Sequence, residues 1–336
     1  MTRRAPALAT RSRGIASRLL SRATLEAARH AADLSGLQQL LVAAGMPLES
    51  GGPPRPDALE LAIRRWAARH LARLMHWLPE CPELGAILAV DEDRRSIRAI
   101  VRGASAGASA EQRLAGLIPT PHLGERELRE LARQTEAAGV AALLVRWRHP
   151  LGPTLLSAVR SAEPDLGAVE AALRRASFAT MHAAAFRVGG LTAEAVARYI
   201  DLENARLATT CAAHARGDHA IEWCLPGGTI PCAEVVRSAR APSAEEAIAR
   251  LVTLLPAAAR GALRDAATTP ERMDSRLLAI RLTLLRAALH RDPVDAVAVL
   301  HFALRVRVQV ILLQQAVWRL VLGGVALVPD PMLDVA

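Results

Sequence analysis

The feature that most constrains the fold is an internal repeat, whose two copies begin at Asp93 and Asp201. Pro119 lies 26 positions after Asp93, and Pro226 lies 25 positions after Asp201, so the copies keep register to within one residue. Each copy pairs a polar helical segment with a proline break and a further helical run. Such duplication is typical of stacked helical units that bury one another's apolar faces.

The composition favours helix throughout. Of the 336 residues, 51% are apolar and only 3% are aromatic, and the apolar excess is alanine and leucine. These residues have high helix propensity, whereas strands prefer β-branched and aromatic residues. We therefore predict an all-α protein. Its length allows roughly two domains or one larger multi-helix body.

The charge of the chain is positive. All 42 basic residues are arginine, and with 33 acids they give a net charge of +9. This balance favours acidic partners. Nucleic acid is not predicted, because basic runs interleaved with stacking aromatics are absent from the sequence.

Compartment and redox state are indicated by the N-terminus and the cysteines. The basic start is not followed by the apolar stretch of a secretory signal, so we do not expect secretion. The four cysteines form no CxxC pair, and we expect reduced thiols in a cytosolic protein.

Caps and breaks locate the helices. Capping boxes are predicted at Ser35 and Ser109, further N-caps at Thr192 and Ser243, and a left-handed helix end at Gly45. The predicted helices are two within residues 8–45, then 57–78, 93–102 closed by Gly103, 124–147, 165–188, one from Thr192 through Asn204, one opened by Thr269-Pro270, and 293–321.

Two segments invite a chemical interpretation that we do not favour. Cys211, His214, His219 and Cys224 are all zinc-ligand types, but their spacing is unlike known zinc sites, so we predict no metal. Residues 308–328 are apolar enough for a membrane span, yet they contain an arginine and three glutamines. A helix in a protein core or at a subunit contact is therefore predicted. We find no catalytic constellation and expect no cofactor.

The polar residues of the repeat are the candidate functional residues. Asp93 with Ser96, and Asp201 with Asn204, are one helical turn apart and share a face. They either fix the packing of the repeated units or contact a partner. The candidates are Asp93, Ser96, Arg98, Arg102, Asp201, Asn204 and Arg206.

These residues resemble the C subunit of V-type and A-type ATPases, the counterpart of eukaryotic subunit d. That family repeats Asp-x-x-Asn-Leu-Lys-x-Leu-Leu-Arg-Gly, followed by an Ile-Pro-Gly-Gly break. The first copy here is DRRSIRAIVRG at 93–103, with LIPTP at 117–121, and Ser96 replaces the Asn. The second is DLENARL at 201–207, with CLPGG at 224–228.

The resemblance extends to both sides of the repeat. Residues 11–20 are similar to the opening helix of the family, 165–170 to the start of its middle unit, and Asp292-Pro293 to the entry to its last unit. The last unit departs most, at residues 306–314. Family acids are replaced there by Arg307 and Gln309 and the Asn by Leu312, so a polar contact by this unit is in doubt.

The resemblance implies a funnel of three similar helical units around a pseudo-threefold axis, at residues 1–120, 121–230 and 231–336. It implies a non-catalytic rotor adaptor, present once per complex, that links the central shaft of a rotary ATPase to the membrane proteolipid ring during ATP-coupled proton or sodium transport. Such a protein is peripheral, on the cytoplasmic side of the cell membrane. The alternative is a helical-repeat scaffold or regulatory protein unrelated to ATPases.

Overall fold

The computed structural model describes residues 5–48, 54–160, 166–268, 273–323 and 332–333, and these contain helices and no strand. The all-α prediction is therefore confirmed. Two short 3-10 helices lie at Leu78–Glu80 and Gly217–His219. The α-helices are α1 Ala5–Ala16, α2 Arg22–Arg29, α3 Leu34–Ala43, α4 Pro56–Met75, α5 Pro82–Ser105, α6 Ala110–Leu114, α7 Glu125–Ala132, α8 Ala137–Arg146, α9 Gly152–Val159, α10 Leu166–Val188, α11 Gly190–Ala213, α12 Ala220–Trp223, α13 Cys232–Ala239, α14 Ala244–Val252, α15 Ala257–Thr268, α16 Met273–Arg291 and α17 Val297–Val321.

Three pairs of long helices dominate the molecule: α4 with α5, α10 with α11, and α16 with α17. Each pair follows three or four short α-helices in the chain. The second helix of each pair packs on short helices of another group: α5 on α7 and α8, α11 on α13 and α14, and α17 on α2 and α3. The last long helix, α17, thus packs against the first part of the chain, and it also contacts α1 and α4.

Helix α5 shows how the sequence produces this packing. Pro82 occupies its first turn, where the missing N–H costs no hydrogen bond. Apolar residues then recur at helical spacing, and the side chains of Leu84, Ile97 and Ile100 are completely buried. Most of the buried apolar residues form one continuous core running from α1 to α17, and a second cluster lies between α11 and α16.

Several predicted caps are confirmed. Ser109 and Gln112 form a capping box, and the Ser243 side chain accepts a hydrogen bond from the Glu246 backbone N–H. Gly45 has a φ of +80°, the left-handed conformation predicted for a helix end. The Ser35 capping box is wrong, because α3 begins earlier and Asp33 caps it by accepting from the Gly36 N–H at 2.8 Å.

Some predicted helix limits are also wrong. Residues 8–45 form three helices, and 124–147 form two, α7 and α8. The segment 93–102 is the middle of α5, which runs through Gly103 and turns at Gly107 with a φ of +68°. Thr192 does not cap α11 but lies buried inside it, where its hydroxyl donates to Asp295. The predictions at Asp165 and at Thr269-Pro270 fall outside the described residues.

Helix α17 is long and apolar enough to cross a membrane by length and composition alone. However, 67% of its most apolar window is buried inside the molecule, against helices such as α4, α1 and α16. Its Gln309 is completely buried with its amide hydrogen-bonded, which a core accommodates better than lipid does. The described part of this apolar segment, up to residue 323, therefore behaves as a core helix.

The cysteines differ from the expectation of reduced thiols. Cys224 and Cys232 form a disulfide, with their Cα atoms 6.1 Å apart. Cys81 and Cys211 are buried thiols outside this disulfide. Eight positions separate the bonded pair, and the turn after Pro226 brings them together, a tertiary effect that cysteine spacing alone did not reveal.

Candidate functional site: a central cavity and two buried carboxylates

A cavity of about 630 Å³ lies between the six long helices, all of which contribute to its wall. Most of the wall is apolar. Its exposed end carries an ion pair between Glu194 and Arg291, whose atoms approach to 2.9 Å. Apolar side chains from five of the helices include Leu71, Met75, Leu88, Leu191, Leu284, Leu300 and Leu304. Such a concave apolar surface with few polar groups is suited to binding a partner.

The polar residues at the buried end of the cavity form a network, which we call the Asp91 cluster. The Asp91 carboxylate accepts from Arg94 at 2.9 Å and from Arg95 at 3.0 Å, and the Arg281 guanidinium lies 3.6 Å away. The Tyr199 hydroxyl donates to the same carboxylate at 3.1 Å. The cluster therefore ties together α5, α11 and α16 where they border the cavity.

The charge state of the Asp91 cluster follows from its contacts. Burial alone would raise the pKa of Asp91, but the guanidiniums of Arg95, Arg94 and Arg281 hold it far below its usual range. Burial raises the pKa of Tyr199, so its hydroxyl stays protonated and can donate. Because the ionised Asp91 carboxylate lies beside three guanidiniums, the cluster acts as a fixed structural contact between the helices.

Asp93 is fully buried on the second long helix of the first pair, away from the cavity wall. Its carboxylate accepts from the Thr120 hydroxyl at 2.5 Å and contacts His122 Nδ1 at 2.9 Å and His149 Nε2 at 3.1 Å. We call this arrangement the Asp93 turn. Burial would raise the pKa of Asp93, but these hydrogen bonds lower it. The hydrogen bond between His122 and Asp93 also raises the pKa of His122.

Asp201 occupies the corresponding place on α11 and is also fully buried. It accepts from the Thr229 hydroxyl at 2.6 Å and from the Ile230 backbone N–H at 2.9 Å. We call this the Asp201 turn. Gly227 has a φ of +96°, and a Cβ on Gly228 would collide with the Asp201 carboxylate, so both glycines are required by the geometry.

Three residues from Asp201 along α11, Asn204 clamps the chain beyond the proline break. Its side-chain oxygen accepts from the Leu225 N–H at 2.9 Å, and its amide donates to the Leu225 carbonyl at 2.8 Å. Ser96, at the same position in the first copy, is buried with no hydrogen-bond partner for its hydroxyl among the described residues. The clamp is therefore missing from the first copy.

The third pair of long helices has its own clamp, which the sequence had left in doubt. Gln309 on α17 accepts from the Leu20 N–H at 3.1 Å and donates to the Leu20 carbonyl at 2.9 Å. This is the two-bond pattern of Asn204. The family pattern has an acid at Gln309 and its Asn at Leu312, so the clamp of this pair comes from a position that the pattern did not indicate.

The remaining motif residues are arginines in ion pairs. Arg98 and Arg102 on α5 both bind Glu170 of α10, Arg98 at 3.0 Å. Arg206 binds Glu203 at 3.0 Å, and the negative charge of this carboxylate raises the pKa of Arg206 above its usual range. These three arginines border a second, smaller cavity. None of the seven candidate residues lines the central cavity.

Of the four zinc-ligand residue types between residues 211 and 224, Cys224 is bonded to Cys232, so its sulfur is not a thiolate ligand. Among the described residues, Asp93, His122 and His149 form a group of metal-ligand types whose atoms lie within 4.8 Å. However, His149 Nδ1 accepts from the Leu151 N–H, which places the ring proton on Nε2, facing Asp93. A metal-bound histidine normally donates from its second nitrogen, so this geometry fits a hydrogen-bond network better than a metal centre.

Sequence reasoning missed the Asp91 cluster and the two histidines. A local signal existed for Asp91, since Arg94 and Arg95 follow it at the three- and four-residue spacings of helical ion pairs. His122 and His149 come from different segments and meet Asp93 only through folding, so no sequence spacing could identify them.

Comparison with known proteins agrees with the resemblance in the repeat. A search of curated proteins finds no match for this chain. The ATP synthase (C/AC39) subunit family matches residues 8–307, which include the whole cavity wall and both buried carboxylates. The chain therefore belongs to the ATP synthase (C/AC39) subunit family.

Proposed function

We propose that this protein is the non-catalytic rotor adaptor of a V/A-type ATPase or ATP synthase, linking the central shaft to the membrane proteolipid ring. Family membership fits a subunit of a rotary ATPase. The observation that carries the finer role is the central cavity, which is bordered by all six long helices and is mostly apolar. The adaptor would be peripheral, on the cytoplasmic side, with one copy in each complex.

A closed arrangement of three units supports this role. The packing order, with α5 on α7 and α8, α11 on α13 and α14, and α17 on α2 and α3, is cyclic. It favours three units at residues 1–120, 121–230 and 231–336 around a pseudo-threefold axis. A ring closed by α17 resists opening, because separating any two units would expose buried apolar surface.

The cavity would receive the foot of the shaft. Its walls offer apolar surface from helices of all three pairs, which suits apolar side chains at the tip of a helical partner. The Asp91 cluster fixes the buried end by joining three of those helices. Torque applied to the occupant would therefore act on helices that are already connected by ion pairs and apolar contacts.

The test places a charge on the cavity wall. Ala303 lines the cavity on α17, so Ala303→Glu would leave a carboxylate unpaired against the shaft. We expect the variant to lose about a hundredfold or more in shaft affinity while retaining the ring, because an unpaired buried charge costs roughly 3 kcal/mol or more. Co-purification with a tagged chain, followed by identification of the bound subunits, measures both contacts.

The matched control is Ala179→Glu, which adds the same charge to an exposed position on α10 outside the cavity wall. It should retain shaft and ring, and circular dichroism should show both variants folded. Recovery of neither shaft nor proteolipid with the wild-type chain would favour the helical scaffold instead. Equal shaft recovery with Ala303→Glu and wild type would contradict the cavity as the shaft site.

A further inference from the structure

The second cavity has a volume of about 350 Å³ and is lined by residues of α5, α11, α16 and α17. Seven arginines line it, against two acids, Glu203 and Asp274. Helix α5 supplies four of the arginines, at positions 94, 95, 98 and 102, and the other three helices supply one each: Arg206, Arg281 and Arg307. We call this cavity the arginine pocket.

The carboxylates around the arginine pocket are too few for its arginines. Asp91 is shared by three of them and Glu170 by two, while Glu203 and Glu92 each pair with one. Even with Asp274 included, seven guanidiniums face five carboxylates, which leaves two positive charges. Asp274 is exposed, so water screens its contribution.

The buried arginines also keep unused donors. Arg94 is only 6% exposed, and its Nε has no hydrogen-bond partner among the described residues; the same is true of the buried Nε of Arg307. Burial lowers the pKa of Arg307 although Glu92 lies 3.2 Å away, so the neighbouring acids do not fully offset its desolvation. Burial also lowers the pKa of Arg98, although this arginine is hydrogen-bonded to Glu170.

The accessible edge of the pocket is formed by two further arginines. The Arg98 side chain is 31% exposed and that of Arg102 is 52% exposed, whereas Arg94 lies deeper at 7%. An anion could therefore enter past Arg102 and meet cations of increasing burial. A guanidinium group presents paired N–H donors that match the oxygens of a phosphate. The resulting charge-assisted hydrogen bonds become stronger where water is excluded.

We propose that the arginine pocket binds a compact, multiply charged phosphate group, carried either by a free anion such as a diphosphate or by the headgroup of an anionic lipid. Two uncompensated charges and a volume near the lower end for small-molecule sites suit such a ligand. The pocket holds this charge whether or not the chain is a rotor adaptor.

The test uses inorganic pyrophosphate with the full chain, in EDTA and at ionic strength matched with sodium chloride. Pyrophosphate should raise the Tm in a saturable way, because a ligand that binds only the folded state stabilises it. Arg98→Gln with Arg102→Gln should weaken the apparent affinity about tenfold or more. The control pair, Arg126→Gln with Arg129→Gln, removes two exposed arginines of α7 that also bind glutamates and should leave affinity unchanged.

Flotation with lipid vesicles distinguishes a lipid headgroup from a free anion as the ligand. If the chain floats with vesicles containing phosphatidic acid but not with phosphatidylcholine alone, and pyrophosphate displaces it, the ligand is a lipid headgroup. Saturable pyrophosphate binding without flotation assigns a free anion. Arg98→Lys with Arg102→Lys should bind more tightly than the glutamine pair and checks the role of charge in a folded protein. No saturable Tm increase in the wild type, or an equal increase in the glutamine pair, would overturn the proposal.

Discussion

The Asp93 turn and the Asp201 turn begin from the same buried carboxylate and threonine contact but complete it differently. The Asp201 carboxylate receives a backbone N–H from Ile230, and Asn204 clamps the neighbouring Leu225. The Asp93 carboxylate receives side-chain N–H groups from His122 and His149, and the described residues provide no amide clamp beside it. A backbone donor does not titrate, whereas the His122 side chain does, so we expect the Asp93 turn to be the more sensitive of the two to pH.

Both copies of the repeat keep the same aspartate–threonine contact but differ in the other hydrogen-bond donors. The acceptor and one hydroxyl donor persist in both copies, as Asp93 with Thr120 and Asp201 with Thr229. A buried carboxylate needs its lone pairs satisfied, but it does not specify which groups supply the hydrogen bonds. The remaining donors have therefore changed without removing the contact.

The largest expected effect tests the amide clamp. Asn204→Ala removes two hydrogen bonds and leaves the Leu225 N–H and carbonyl unpaired, so we expect a loss of about 3 kcal/mol in the free energy of unfolding. Ser96→Ala removes a buried hydroxyl that has no hydrogen-bond partner in the described part of the chain, and it should be neutral or slightly stabilising. Urea unfolding of both variants measures the difference. Equal losses would show that the two copies are not distinguished by the clamp.

Gln309→Ala on α17 is the matched control for Asn204→Ala, because it removes the same kind of amide clamp. It also releases one backbone N–H and one carbonyl, those of Leu20, so its loss should resemble that of Asn204→Ala. A loss close to that of Ser96→Ala would mean that the amide of α17 does not act as a clamp.

The disulfide is the next difference, because it lies only beside the Asp201 turn. Cys224 and Cys232 close a short loop that contains Thr229 and Ile230, and closing such a loop stabilises the fold by about 2.5 kcal/mol in the chain-entropy account. Reductant should therefore lower the Tm of the wild type but not that of Cys224→Ser with Cys232→Ser. Four free thiols in the unreduced, denatured protein would contradict the bond.

The sequence predicted those parts of the fold that depend on local chemistry. Helix content followed from alanine and leucine, and the caps at Ser109 and Ser243 depend on contacts within one turn. The limits of α5 were not predictable in the same way. The segment at its centre is charged in sequence, yet α10 and α17 pack against the helix and bury part of it. Tertiary contacts decided that helix, whereas its residues alone suggested a short one.

The candidate site was predicted in part for the same reason. The aspartates at 93 and 201 were identified from the repeat, but their partners lie 27 to 56 positions away along the chain and depend on how the turns fold back. Gln309 was misjudged because it is compared with an acid in the family pattern. Its side chain is one methylene longer than that of asparagine, yet it makes the same two bonds from a different helix.

The smallest effect concerns pH and separates the two turns most directly. The pKa of His122 is raised by its bond to Asp93, above the ordinary value of 6.5. Its contribution to stability is therefore fully present below pH 6.5 and is lost as the pH rises through the raised pKa. The pKa of Asp93 is lowered below 3.8, so its contribution is present above that pH and is lost only in stronger acid.

His122→Gln keeps a side-chain N–H donor but cannot titrate, which makes it the matched variant. The wild type should exceed it in stability by less than about 1 kcal/mol at pH 6, since the His122 side chain is 42% exposed and water weakens the ion pair. That excess should shrink towards pH 8. The buried His70 and the partly buried His301, whose pKa values are lowered to about 4 by desolvation, are present in both proteins and cancel from the difference. A stability difference that stays constant between pH 6 and 8 would mean that His122 holds Asp93 as a neutral donor, and the Asp93 turn would then be as insensitive to pH as the Asp201 turn.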